Sequence, residues 1–371
     1  MSPSTSSESS SVIRERKPVL ARFPPFRRAL DSLPSRWRPG LYYETLSNLY
    51  SGGIVRLFPI SLVILETILD ADLVYQMVIA CVFYGANLLS PGFTWLAGHV
   101  RVRWMVIIPC YLMAVALFSV FLNPSSPLFF TFIISLVLTL RVTARVGEMN
   151  MFGLIYPAQY LSTAVGWTRS MAALSGLILT FVAWGWLEWF PETYWGILWL
   201  CSLGLMLGAI NYSRIPTHRK NRYAQTESRA PISAFYRGLR QFLSDRRFLR
   251  YEIAFFIVGI GNQMGLYLVP NVLNELVQAG RSTINIIAVV IPSLTIILTA
   301  PLWGRVLSRR TPMLARGVFS LLQTQTFLLY TYGGLTGQVW PFLIGSFIHS
   351  CSVAGGSINW LTGSLYFAKP E

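Results

Sequence analysis

Long apolar runs dominate the chain, and polar residues are confined to the segments between them. Ten runs are long enough to cross a bilayer, since a hydrocarbon core about 30 Å thick needs about 20 apolar residues in a helix. We predict membrane helices at 45–68, 74–93, 104–122, 128–150, 163–186, 194–212, 251–272, 284–302, 312–331 and 338–361. The pattern predicts an all-α integral membrane protein.

The composition supports lipid as the solvent of this chain. Only 12% of its 371 residues are charged, whereas a soluble protein of this length has about 25%. The net charge of +15 would suit nucleic acid, but the basic residues lie in short segments between apolar runs, so we expect no nucleic-acid partner. No cysteine or histidine spacing indicates a disulfide framework or a metal site, and we expect no cofactor.

The distribution of lysine and arginine predicts the orientation of the chain in the membrane. About 24 basic residues fall on one side, in the N-terminal tail, the loops after the second and eighth spans, and the long loop 213–250, against one on the other side. Basic loops stay in the cytoplasm. We therefore expect a multi-pass protein of the plasma membrane with its N-terminus in the cytoplasm.

Two short matches indicate an internal repeat. Leu41-Tyr42-Tyr43-Glu44 enters the first span and Leu249-Arg250-Tyr251-Glu252 enters the seventh, 208 residues later; Leu96–Val100 and Leu302–Val306 leave the second and eighth spans, 206 residues apart. Because both pairs hold equivalent positions, a duplicated six-helix unit is the simplest explanation. The predicted domains are a disordered basic tail (1–40), a six-helix half (41–212), a cytoplasmic loop (213–248) and a four-helix half (249–371).

Within the predicted tail, Phe26–Leu33 has two open interpretations, a short surface helix or disorder.

Glycine and basic residues recur after the second and eighth spans, as Gly98-His99-Val100-Arg101-Val102-Arg103 and Gly304-Arg305-Val306-Leu307-Ser308-Arg309-Arg310. The fourth span contains Arg141-Val142-Thr143-Ala144-Arg145-Val146-Gly147. With the six-plus-four layout, these motifs resemble the major facilitator superfamily, although both loop copies lack that family's acidic residue.

The resemblance implies two pseudo-symmetric helical halves around a central cavity. It also implies that the loop glycines let helices approach closely and that the loop arginines bridge helices at a cytoplasmic gate. The fourth-span motif, which contains Arg145, is linked by the resemblance to proton coupling. The alternative is that the arginines only anchor the loops on the cytoplasmic side. Since the family normally has twelve spans, we expect the last two to be missing from this chain.

Charges inside a membrane are expensive, so each one is a candidate functional residue. Arg56 lies about 11 residues into the first span, after Ser51-Gly52-Gly53, which either loosens the helix or admits a partner. Arg56 either binds an anionic group of a solute or forms a structural ion pair with Glu148 or Glu66.

The fourth span places Arg141, Arg145 and Glu148 on one helical face, since they are four and three residues apart. They either line a cavity or extend to the cytoplasmic interface. Arg169 is expected near the cytoplasmic start of the fifth span.

Three further polar residues lie in apolar runs. Asn262 and Gln263 in the seventh span bind solute or hydrogen-bond across helices, and His349 in the tenth binds solute or packs. In the superfamily the first, fourth, seventh and tenth helices line the cavity, and the candidate solute ligands Arg56, Arg141, Asn262, Gln263 and His349 all lie on these helices.

We therefore predict a secondary active transporter, not an enzyme, that moves a small anionic or polar solute by alternating access. A proton or sodium ion is the expected coupling ion, the bilayer is a partner, and the chain is expected to be monomeric. An integral-membrane transferase and a non-transporting receptor or scaffold with the same fold are the alternatives.

Overall fold

The computed structural model describes residues 20, 23–97, 99–216, 240, 244, 246–309 and 311–367, and every regular element in them is a helix. The helices cover all ten predicted positions and add one short helix before the first. They are α1 (Pro24–Ser32), α2 (Arg38–Ser51), α3 (Leu57–Thr67), α4 (Leu73–Gly85), α5 (Ser90–Ala97), α6 (Trp104–Phe118), α7 (Pro127–Ile155), α8 (Ala158–Trp189), α9 (Trp195–Ser213), α10 (Arg246–Glu275), α11 (Arg281–Asn285), α12 (Ile291–Leu307), α13 (Pro312–Thr336) and α14 (Trp340–Phe367).

Seven helical segments in the described residues are long and apolar enough to cross a membrane. The segment that contains α4 is apolar but shorter, Leu73–Leu89. Polar residues interrupt the apolar runs of α10 and α13, for example Gln323. The predicted fold class, an all-α membrane protein, is confirmed.

A leucine stripe on α13 shows how the bundle meets lipid. Leu321, Leu328 and Leu335 follow one another at seven-residue spacing and are 62%, 66% and 83% exposed. Residues seven apart lie on the same side of a helix, and such a stripe would be unfavourable in water. The outer face of α13 therefore suits the hydrocarbon core.

The two halves meet where α8 packs along α12. A Cβ atom at Gly304 would lie 2.6 Å from the backbone oxygen of Ser162, and one at Gly166 would lie 2.6 Å from that of Ala300. One turn further along α8, the hydroxyl of Ser170 donates to a backbone oxygen of α12 at 2.7 Å. Small residues permit this backbone contact between membrane helices. We call the contact at Ser162, Gly166, Ala300 and Gly304 the inter-half seam.

The turns that follow α3 and α10 repeat each other 208 residues apart. Asp70 and Gln278 have positive φ angles of 44° and 52°, a conformation uncommon for residues other than glycine. In each turn the next residue donates its backbone N–H to a carbonyl oxygen six residues earlier, at 2.9 Å and 2.8 Å. These matched turns support the predicted duplication, while the domain boundaries stay a prediction.

The first span is interrupted in its middle. A 3-10 segment, Gly52–Arg56, joins α2 to α3. A Cβ atom at Gly52 would lie 2.5 Å from the Cα atom of Ala172. Both predicted effects of these glycines are therefore present, since the helix is interrupted and α8 packs closely against it.

The N-terminal helix α1 is packed rather than free. Phe26 and Leu30 are buried, and the ring of Phe26 meets that of Trp167 on α8 edge-on, 5.1 Å between centroids. Where the sequence predicts a disordered tail through residue 40, the structure has helices at 24–32 and from 35 onward. The reason is that the apolar side chains of α1 find a complementary surface on α8.

Candidate functional site

Four charged side chains gather between α7 and α8. Arg141, Arg145 and Glu148 lie on one face of α7, as their spacing predicts, and Arg169 comes from α8. All four lie deep in the bundle but keep part of their surface accessible, as side chains bordering an internal space do. We call these residues the arginine cluster.

Among the described residues, the charges of the arginine cluster interact electrostatically without direct ion pairs, Glu148 attracting the arginines and the arginines repelling one another. Glu148 interacts with all three arginines, yet no nitrogen–oxygen pair of the cluster lies within the 4 Å of a salt bridge in the described part of the chain. Nη1 of Arg141 and Nε of Arg145 are buried without a hydrogen-bond partner. Unpaired buried donors are costly, and these two atoms are free to donate to an acceptor.

Arg145 also contacts the opposite half. Its guanidinium carbon lies 5.8 Å from the ring centroid of Trp360 on α14, within the range of a cation–π interaction. The indole nitrogen of Trp360 in turn donates to Oε2 of Glu252 on α10, at 3.3 Å. The arginine cluster thus lies at the boundary between the halves.

Arg56 forms a second link across this boundary. Its Nη2 donates to the hydroxyl of Ser293 on α12 at 2.7 Å, and Ser293 is fully buried. The Arg56 side chain crosses α8 at Gly176, where a Cβ atom would lie 3.2 Å from its Cγ. Neither of the ion pairs considered for Arg56 is present, since a serine is its partner and Glu66 is exposed.

The family model of the Major Facilitator Superfamily matches residues 45–369 of the chain. The chain belongs to the major facilitator superfamily. It is similar in structure to the MFS proton:xylose symporter XylE bound to 6-bromo-6-deoxy-D-glucose, with a TM-score of 0.58 and 13% identity over 88% of this chain and 81% of that one. At this identity the likeness shows the fold alone. No curated protein matches the sequence.

The loop motifs of this facilitator have mixed roles. Gly304 brings α12 against α8 at the inter-half seam, as the resemblance implies, whereas Gly98 lies outside the described residues. Arg103 donates to the backbone oxygen of Ile215 and so ties the start of α6 to the end of α9. Three other motif arginines are exposed and have no ion-pair partner in the described ranges: Arg101, Arg305 and Arg309.

The structure describes only some of the remaining residues that were predicted to bind solute. His349 is partly buried in α14, and its Nδ1 atom has no hydrogen-bond partner. Asn262 and Gln263 belong to α10, but their side chains lie outside what the structure describes. The structure therefore brings Arg141 and Arg145 together and places Arg56 at a separate contact between the halves.

Two charged residues that lie inside the bundle were missed as candidates by the sequence analysis. Arg169 was expected near the membrane surface but joins the arginine cluster. Glu44 is fully buried and accepts a hydrogen bond from the hydroxyl of Tyr156 at 2.7 Å. Its repeat equivalent is Glu252, which also accepts from an aromatic donor, Trp360. The repeated glutamate at the start of an apolar run was the available signal.

Proposed function

We propose that this facilitator is a secondary transporter of a small anionic solute, with the solute site at the arginine cluster. The single observation that carries the proposal is the pair of buried, unpartnered donors on Arg141 and Arg145 at the boundary between the halves. Transporters of this kind bind solute near the midplane between two repeats. A buried cationic site there favours an anion over a neutral solute.

The proposed mechanism is alternating access, in which one half moves against the other. Contacts between the halves have to break in that movement, among them the hydrogen bond from Arg56 to Ser293 and the contact of Arg145 with Trp360. An anion that binds Arg145 competes with Trp360 for the guanidinium group. Solute binding would thereby loosen one contact between the halves. The difference in solute affinity between the two conformations then drives the movement of the halves.

Coupling to an ion gradient belongs to the proposal. The chain contains no phosphate-binding loop of the GxxxxGK[ST] type, so a proton or sodium ion is the coupling ion we propose. The structural neighbour described as a proton:xylose symporter supports coupling to a proton. Uptake into proteoliposomes under an imposed pH gradient and under an imposed sodium gradient separates the two ions.

Counterflow in proteoliposomes tests the proposed function. Labelled organic anions, neutral sugars and organic cations are compared, and we expect an anion to accumulate. Arg141→Gln removes charged hydrogen bonds worth about 1.5–3 kcal/mol, so counterflow at low solute concentration should fall about tenfold or more. The matched control is Arg250→Gln at an exposed position of α10, which should keep the wild-type rate. Counterflow of no solute class, or full activity in Arg141→Gln, contradicts the proposal.

A further inference from the structure

The arginine cluster has an uncompensated charge. Three guanidinium groups, those of Arg141, Arg145 and Arg169, share Glu148 as the one carboxylate that acts on them among the described residues. Arginine stays charged in proteins, so the cluster has a net charge of about two positive units with Glu148 ionised. Such an excess inside a membrane protein requires compensation.

The geometry of the cluster suits an oxyanion with more than one oxygen. The unpartnered donors belong to two arginines one helical turn apart on α7, and Arg169 on α8 interacts electrostatically with both. Guanidinium groups bind carboxylate and phosphate oxygens through paired, charge-assisted hydrogen bonds. Donors on two helices can therefore hold two ends or two edges of one small ligand.

We propose that the transported solute is a small dianion, either a dicarboxylate or a doubly charged oxyanion. The inference rests on the proposed function, because it names the solute class of the same site. A bound dianion brings the net charge of the site to zero, whereas a monoanion leaves one positive charge and a neutral sugar leaves two. Arg169 is thereby a specificity-determining residue, and Glu148 sets the charge that the solute has to balance.

Ligand binding to the purified full-length protein tests the charge preference directly. Thermal stabilisation is titrated with succinate, inorganic phosphate and sulfate as dianionic probes, and with lactate and glucose as controls. We expect at least one dianion to bind about tenfold or more tightly than lactate. Succinate against phosphate and sulfate separates a dicarboxylate from a compact oxyanion.

Two variants change the charge of the site in opposite directions. Arg169→Gln lowers the net charge by one, so the affinity ratio of dianion to lactate should fall about tenfold or more. Adding Glu148→Gln to that variant returns the net charge to two positive units and should restore the dianion preference. A merely structural role of Arg169 would not produce this rescue, and Arg250→Gln should leave the ratio unchanged.

Three outcomes would overturn the dianion proposal: equal or tighter binding of lactate or glucose by the wild type, a ratio unchanged in Arg169→Gln, or no rescue in the double variant. Counterflow of a monoanion would remove the dianion and leave the proposed anion transporter intact, whereas counterflow of a sugar alone would contradict the anionic solute of both proposals. Tight dianion binding with counterflow of no solute would support the dianion site and contradict the proposed transport.

Discussion

Gly166→Ala and Gly304→Ala are each expected to lower the transport rate about tenfold or more and to reduce the yield of folded protein. Each added Cβ atom would lie 2.6 Å from a backbone oxygen of the opposite helix, Ala300 or Ser162. A backbone oxygen cannot relieve the clash by changing rotamer as a side chain can. The two halves must therefore separate along the inter-half seam. Overpacking of this kind costs about 1–3 kcal/mol.

The matched control for the seam lies on the same helix. Gly185 of α8 has open space where its Cβ atom would be, so Gly185→Ala should express, fold and transport as the wild type does. Counterflow and the monodisperse fraction after size-exclusion chromatography are the measurements. Wild-type transport by both seam variants would show that the halves are not held in backbone contact.

Tyr156→Phe is expected to lower the stability of the protein without any change in the arginine cluster. The hydroxyl of Tyr156 donates to Oε2 of fully buried Glu44, and Oε1 of Glu44 already lacks a partner. Removing the donor leaves both carboxyl oxygens unsatisfied, which costs about 1–3 kcal/mol. A lower melting temperature of the purified protein is the readout.

The control and the complementary variant define the contribution of this pair. Tyr50 is 41% exposed on α2, so Tyr50→Phe should leave the melting temperature unchanged. Glu44→Gln keeps an acceptor for Tyr156 and should destabilise less than Glu44→Ala. If Tyr156→Phe is as stable as the wild type, the hydrogen bond from Tyr156 to Glu44 does not stabilise the protein.

The positions of the helices could be predicted because membrane thickness sets their length and hydropathy is a local signal. The matched turns at Asp70 and Gln278 support the predicted repeat, since they share the 208-residue offset of the match between Leu41 and Leu249. The helical state of residues 24–40 could not be predicted, because α1 is stabilised by packing on Trp167 of a distant helix.

The observed helix boundaries explain why the sequence did not place several charged residues inside the bundle. The apolar run of the fifth span begins at about residue 163, but α8 begins at Ala158, so Arg169 lies about 16 Å inside the helix. Likewise α2 begins at Arg38 and encloses Glu44, and α13 begins at Pro312 and buries Arg316, whose guanidinium donates to the backbone of α10. Helices extend beyond their apolar runs where polar side chains find partners inside the bundle.

Alternating access requires movement between the halves, and the reactivity of a cysteine introduced at buried position 293 measures that movement. Ser293→Cys and Ser352→Cys are made in a chain whose native cysteines are replaced, namely Cys81, Cys110, Cys201 and Cys351. Both serines are fully buried, but Ser293 faces Arg56 across the halves, whereas the hydroxyl of Ser352 donates to Phe319 within one half.

A transport-competent Ser293→Cys protein should react with a water-soluble maleimide several-fold faster than Ser352→Cys, at a rate that changes when transported solute is added. Separation of the halves exposes position 293 to water in one state of the cycle, while position 352 stays packed inside its half. Equal and solute-independent protection of both cysteines during active transport would contradict alternating access at this boundary.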